Sequence, residues 1–126
     1  MKAKGLYAVT NPGSNTKLAS GIAPVAKLLA NVRVGIGTDG PAGNNALDMF
    51  REMYLAASLP KLALSDAAAV NAEDILYAAT AGSAEIMGLS DCTSLTVGMK
   101  ADMAVIDLDC PHLLLCHQPR SSGDEI

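Results

Sequence analysis

Residues 34–45, Val-Gly-Ile-Gly-Thr-Asp-Gly-Pro-Ala-Gly-Asn-Asn, carry the densest chemical pattern of the chain: an apolar strand that ends in Thr38-Asp39-Gly40 and passes into a glycine-rich turn. The pattern sets one carboxylate, Asp39, at the carboxyl end of a buried strand. In parallel α/β sheets that edge is where loops gather and ligands bind. A carboxylate there can hold a cation or accept a proton. A plainer role competes with this one, because Asp ahead of an apolar run is also an ordinary helix N-cap. By itself, Thr-Asp-Gly favours the cap.

Other residue types carry patterns of their own. Cys110, His112, Cys116 and His117 put four zinc-compatible side chains within eight residues. Structural zinc sites pair their cysteines and histidines at closer, regular spacing, and Cys116 and His117 would have to turn inward together, so an independent zinc site is disfavoured. Gly35-Ile36-Gly37-Thr38-Asp39-Gly40 has the glycine spacing of a phosphate cradle, but Asp39 would face the phosphate and no second βαβ unit supplies a ribose partner. Ser14 and Ser20 have no adjacent histidine base and no G-x-S-x-G elbow, which argues against a serine nucleophile.

The elements that must position Asp39 read as strand, helix, strand. Leu6 to Val9 is a short apolar run closed by Asn11-Pro12-Gly13, read as a turn. Ile22, Val25, Leu28 and Leu29 fall at helical spacing over 22–30, with Pro24 in the first turn and Asn31 ending the helix. Val32 to Thr38 forms the second strand, and the whole has the length of a right-handed βαβ unit. After the glycine-rich turn, Leu47, Phe50, Met53, Tyr54, Ala57 and Leu59 predict an amphipathic helix to about Ser58, stopped by Pro60, with Asp48 in its first turn. Asn71 is expected to cap a further helix that buries Ile75, Leu76, Ala79 and Tyr77. Gly82 is read as a break before a short helix over 83–87, closed by Gly88. Residues 96–100 read as a turn and 103–108 as a strand, while the polar tail 120–126 lacks periodicity and is expected to fray.

Composition narrows the function classes. Half of the 126 residues are apolar, enough for one modest core, and the net charge of −4 comes without a basic cluster. That excludes an electrostatic footprint for nucleic acid and gives no sign of a membrane surface. The apolar stretches break before the roughly 20 residues that span a bilayer, and the amino end lacks a signal-peptide pattern. Three cysteines, Cys92, Cys110 and Cys116, without framework spacing fit a reducing, cytoplasmic setting.

Several motifs occur in one order: Thr10-Asn11-Pro12-Gly13-Ser14-Asn15, Lys17 to Val25, the strand with Asp39, Leu47-Asp48-Met49-Phe50-Arg51-Glu52-Met53, and Leu95 to Asp107. Together they resemble the amidohydrolase superfamily, in the branch of 5′-methylthioadenosine and S-adenosylhomocysteine deaminases and chlorohydrolase-like enzymes. The resemblance covers about Lys4 to Pro119. It implies an α/β fold, the carboxy-terminal portion of a (β/α)8 barrel with its last two strands and their helices, plus one strand of a small β-sandwich. The implied boundaries are 1–92 for the barrel segment, 93–119 for the return into the sandwich and 120–126 for the tail. A complete barrel needs roughly 250 residues, so a fragment is implied.

By the same resemblance Asp39 is a metal ligand and takes part in activating water, the metal is divalent and most often zinc, and the substrate is an adenine nucleoside. Guanine-type or chlorohydrolase chemistry is the nearest enzymatic alternative. The family's histidine ligands and acidic proton shuttle have no counterpart in this chain, so the chain alone is expected to be inactive. His112 and His117 fit a Pro-His…His-x-Pro pattern of the family tail. Two departures stand out: Thr10 where relatives carry histidine, and Gly43 where they carry serine, each expected to weaken contact at the site. Asn11, Asn15, Asn44 and Asn45 remain candidate substrate-facing residues, although Asn is equally a turn and capping residue. A non-enzymatic reading stands beside this one: a truncated product, or a module that packs on a complementing chain or on itself, because two strands leave outer edges unpaired.

Overall fold

The structure, a computed structural model, describes residues 5–107. Two short strands, β1 (Ala8–Thr10) and β2 (Val34–Ile36), pair in parallel with Ala8 opposite Val34, Val9 opposite Gly35 and Thr10 opposite Ile36. Between them lie α1 (Pro12–Lys17) and α2 (Val25–Asn31), and β2 is followed by α3 (Met49–Leu64), α4 (Ala72–Ala79) and α5 (Ala81–Ile86). This is the expected βαβ order in an α/β fold. The core lies between the helices and one face of the strand pair, where Val34 and Ile36 meet Val25, Ala56, Val70, Ile75 and Ala78. On the other face Gly35 and Gly37 stand beside Val9, in keeping with the alternation of side chains along a strand.

Several local expectations change. Asn11-Pro12-Gly13 opens the helix α1 and is not simply a turn: Pro12 sits in its first turn, where its missing N–H costs nothing. Helix α3 runs through Pro60 to Leu64 and does not stop near Ser58. The buried Pro60 ring lines, with Ile22, Ala23 and Val25, a seam between α2 and α3, and this apolar contact offsets the lost helical bond. The stripe that α3 buries is also different, being Glu52, Ala56 and Pro60 at four-residue spacing, while Leu47, Phe50 and Tyr54 are exposed. Tyr77 and Leu76 are likewise exposed, and only Ile75 and Ala78 of α4 are buried.

Asn71 does occupy the N-cap position of α4, but its side chain makes no capping bond. The break between α4 and α5 falls at Thr80, not at Gly82, which lies inside α5. A Cβ on Gly82 would stand 3.0 Å from the Tyr77 carbonyl and 3.1 Å from the Tyr77 ring, so the glycine permits close packing of the two helices. Ser83 ties α5 to β2: its hydroxyl donates to the Ala78 carbonyl at 2.7 Å and accepts the Ile36 N–H at 3.2 Å. Glu85 adds a second tie, pairing with Arg33 at 3.2 Å and accepting the Tyr77 hydroxyl at 2.9 Å.

Residues 103–107 form no strand. A strand is defined by its ladder partner, and no described segment runs beside this one. Residue 108, the tail 120–126, and Cys110, His112, Cys116 and His117 lie outside the described residues.

Candidate functional site

Asp39 stands in the loop that leaves β2, with a left-handed backbone at φ 61° that L-residues rarely adopt. It does not cap the following helix. Asp48 does that, accepting the Phe50 N–H at 2.9 Å and the Arg51 N–H at 3.3 Å. The two readings of Asp39 posed by the sequence are thereby separated, because the capping role belongs to a residue nine positions later. The Asp39 carboxylate is exposed and accepts the Ser14 hydroxyl at 2.6 Å. That bond, together with the backbone N–H of Gly40, holds its carboxyl below the usual range, against a small opposing effect of desolvation.

Ser14 reaches Asp39 from the amino-terminal half of α1, so the loops after β1 and β2 meet at this pair. A Cβ on Gly43 would collide with Asp39 Oδ2 and come within 2.8 Å of Ser14 Oγ. The hydroxyl that Gly43 lacks therefore has a neighbour, since Ser14 places one against the same carboxylate.

Beneath this pair lies a carboxylate that the sequence reading passed over. Glu52, with no exposed surface, accepts the Gly13 N–H at 2.7 Å through one oxygen and the Asn44 amide at 2.6 Å through the other. Asn44 is almost fully buried too, and it donates to the Thr38 carbonyl at 2.8 Å while accepting the Ala46 N–H at 3.2 Å. Its spacing of four and eight residues from Ala56 and Pro60 was the available signal, because it sets Glu52 on the stripe with the smallest side chains.

Of the remaining candidates, Asn11 and Asn45 have internal side-chain partners. The Asn11 amide nitrogen, turned toward the carbonyls around it, donates to Thr10 at 3.2 Å and Gly37 at 3.0 Å. Asn45 accepts the Lys17 ammonium at 2.7 Å, and Lys17 also donates to the Ala42 carbonyl at 2.9 Å. Asn15 lines a small cavity with Thr10, Val25 and Ala56. Thr10 faces this helical side, 5% exposed, and its Oγ1 has no hydrogen-bond partner among the described residues. Its side chain is thus turned into the core, away from the site at which the sequence reading had set it.

Among the described residues no three His, Cys, Asp or Glu side chains group into a metal site. Catalytic zinc takes three protein ligands, and the described residues bring one carboxylate to the place, so they do not by themselves form a shell. No helix among the described residues is long and apolar enough to cross a membrane.

A 5-methylthioadenosine/S-adenosylhomocysteine deaminase of Natronomonas pharaonis is 55% identical over 115 residues, covering 90% of this chain and 26% of the relative. A 5′-deoxyadenosine deaminase of Methanosarcina mazei is 46% identical over 117 residues, covering 92% and 27%. The crystal structure of an adenosine deaminase from Xanthomonas campestris with bound zinc superposes with a TM-score of 0.85 at 42% identity, over 94% of this chain and 28% of that one. The chain thus spans about a quarter of the length of these relatives. The model of the amidohydrolase family matches residues 1–124, and the chain belongs to that family.

Proposed function

We propose that this chain supplies the carboxylate-bearing segment of a metal-dependent nucleoside deaminase, with a methylthioadenosine- or S-adenosylhomocysteine-type substrate. In this reading β1 and β2 are the last two strands of a (β/α)8 barrel, residues 1–92 are the barrel segment, 93–119 lead into the sandwich, and the setting is cytoplasmic. The carrying observation is Asp39 itself: relieved of capping by Asp48, it sits at the carboxyl end of β2 with its carboxylate oriented by Ser14. The names of the deaminase relatives and the zinc held by the Xanthomonas protein support the choice of substrate class and metal. Asp39 would serve as one metal ligand and as a proton acceptor, while a divalent metal in such enzymes lowers the pKa of its bound water. The other ligands would come from segments of the relatives that this chain does not span.

The test is complementation. Alone with zinc and methylthioadenosine, the chain is expected to release no ammonia. Mixed with the amino-terminal portion of the Natronomonas relative, it is expected to bind zinc in a way that Asp39→Ala weakens by about tenfold or more, as loss of a ligand does. Zinc binding that is equal with and without Asp39 would overturn the assignment.

The exposed apolar side chains favour a second reading, a packing module without its own catalysis. Leu6, Tyr7, Val9, Phe50 and Tyr54 are all at least 46% exposed, a surface suited to a complementing chain or a second copy. The same mixing experiment separates the two, because a packing module would form the complex without Asp39-dependent zinc.

A further inference from the structure

We propose that Glu52 is a positioning residue, which ties the start of α1 to the loop after β2 so that Ser14 stays on the Asp39 carboxylate. Among the described residues neither Lys nor Arg pairs with Glu52, and a buried carboxylate of that kind is costly unless its oxygens meet fixed donors. Glu52 meets two, and they come from different segments: Gly13 N–H in the first turn of α1, next to Ser14, and the Asn44 amide in the loop after β2, whose second proton holds the Thr38 carbonyl next to Asp39. Each segment is therefore fastened to α3 one residue away from the pair it must align. A Cβ on Gly13 would collide with Glu52 Oε1, so that residue must be glycine for the carboxylate to come close. All other polar contacts of the Asn44 side chain stay within its own loop, which leaves Glu52 as its link to α1.

The hydrogen-bond polarity supplies the test. Both partners of Glu52 are donors, so Glu52→Gln leaves one N–H facing another. Adding Asn44→Asp returns an acceptor to the glutamine and keeps the Gly13 bond, at the expense of the contact with Thr38. The full 126-residue chain is labelled with ¹³C and ¹⁵N and studied at neutral pH, where Asp39 is ionised throughout. Ser14→Ala marks the carboxylate shift of Asp39 without its hydroxyl.

Glu52→Gln is expected to move the Asp39 carboxylate signal toward the Ser14→Ala position. Gly13 and residues 38–44 should exchange their amides about tenfold faster or more, while Ile75 and Ala78 change little. The double variant should recover part of both effects, a coupling that independent losses would not show. Ile75→Val, a core change of similar cost, should leave the Asp39 signal in place. Should Glu52→Gln not fold, Asn44→Ser removes one donor without opposing another and is expected to give a smaller shift in the same direction. An Asp39 signal unmoved by loss of either partner, or moved equally by Ile75→Val, would overturn the proposal. Only the relevance of this alignment to deamination rests on the function proposed above. A failure to bind zinc in the complementation experiment would leave the clamp standing, and a failed clamp would leave Asp39 as ligand.

Discussion

Ser14 gives Asp39 one hydroxyl, and Ser14→Ala isolates what that hydroxyl does. The bond favours the charged carboxylate, so its removal is expected to raise the Asp39 pKa toward the usual value, measured by ¹³C titration of the side chain. The sign follows from linkage: a depressed folded-state pKa adds stability above the unfolded pKa, and that stability is lost as pH falls through the folded value. Wild type and variant should therefore differ near neutrality and converge in acid. An unchanged titration midpoint would show the hydroxyl to be idle. Thr10 tests the opposite case, a polar atom without a partner. Thr10→Val is expected to stabilise the chain, on the order of 1 kcal/mol in denaturant unfolding, because a buried hydroxyl that bonds to nothing is a net cost. The place of Asp39 after β2 was legible from the apolar run before it, whereas its freedom from capping was not, because Thr-Asp-Gly alone favours the cap that Asp48 supplies. Glu52 was not legible, because a glutamate on a helix ordinarily reads as solvated and one of its two donors, the Gly13 amide, lies 39 residues off.

Helix α3 shows how far local rules reach. Its start was readable in part: the sequence sets Asp48 inside the first turn, whereas the structure makes it the N-cap, and Asp48→Ala should cost about 1 kcal/mol, read as a lower unfolding midpoint. An unaltered midpoint would mean that packing alone sets the helix start. Its end was not readable, because Pro60 breaks helices by local propensity and is overruled here by burial against residues of α2 and its approach. The buried face was readable in part: Met53 and Ala57 pack against the core as expected, whereas Phe50 and Tyr54 are exposed and the most deeply buried stripe is Glu52, Ala56 and Pro60. Small residues let α3 approach β2 closely, and a hydrophobicity count weights them too little to find that face. The strand expected over 103–108 failed for a different reason: strand propensity is local, but a strand exists only where another lies alongside.

At the scale of the molecule, the βαβ order and the place of Asp39 after β2 follow from the sequence, and the core is modest, as an apolar fraction of one half allows. Among the described residues seven form the buried cluster, and many larger side chains face outward. Such a surface is expected to associate, so light scattering on the isolated chain should give a mass above that of a monomer at micromolar concentration. A monomeric mass with strongly protected amides throughout would mean that the exposed side chains do not act as an interface.

The bond from Ile36 to Ser83 bears on what form that association takes. With a hydroxyl already seated on this amide of β2, a newcomer strand meets competition on that side, while β1 offers its outer row without a described partner strand. Growth by strand addition is then expected to end once two copies have joined through β1, as a closed twofold pair, rather than to propagate into a filament. Ser83→Ala would raise the number of open edges toward two, turning a species of fixed size into one whose length depends on concentration.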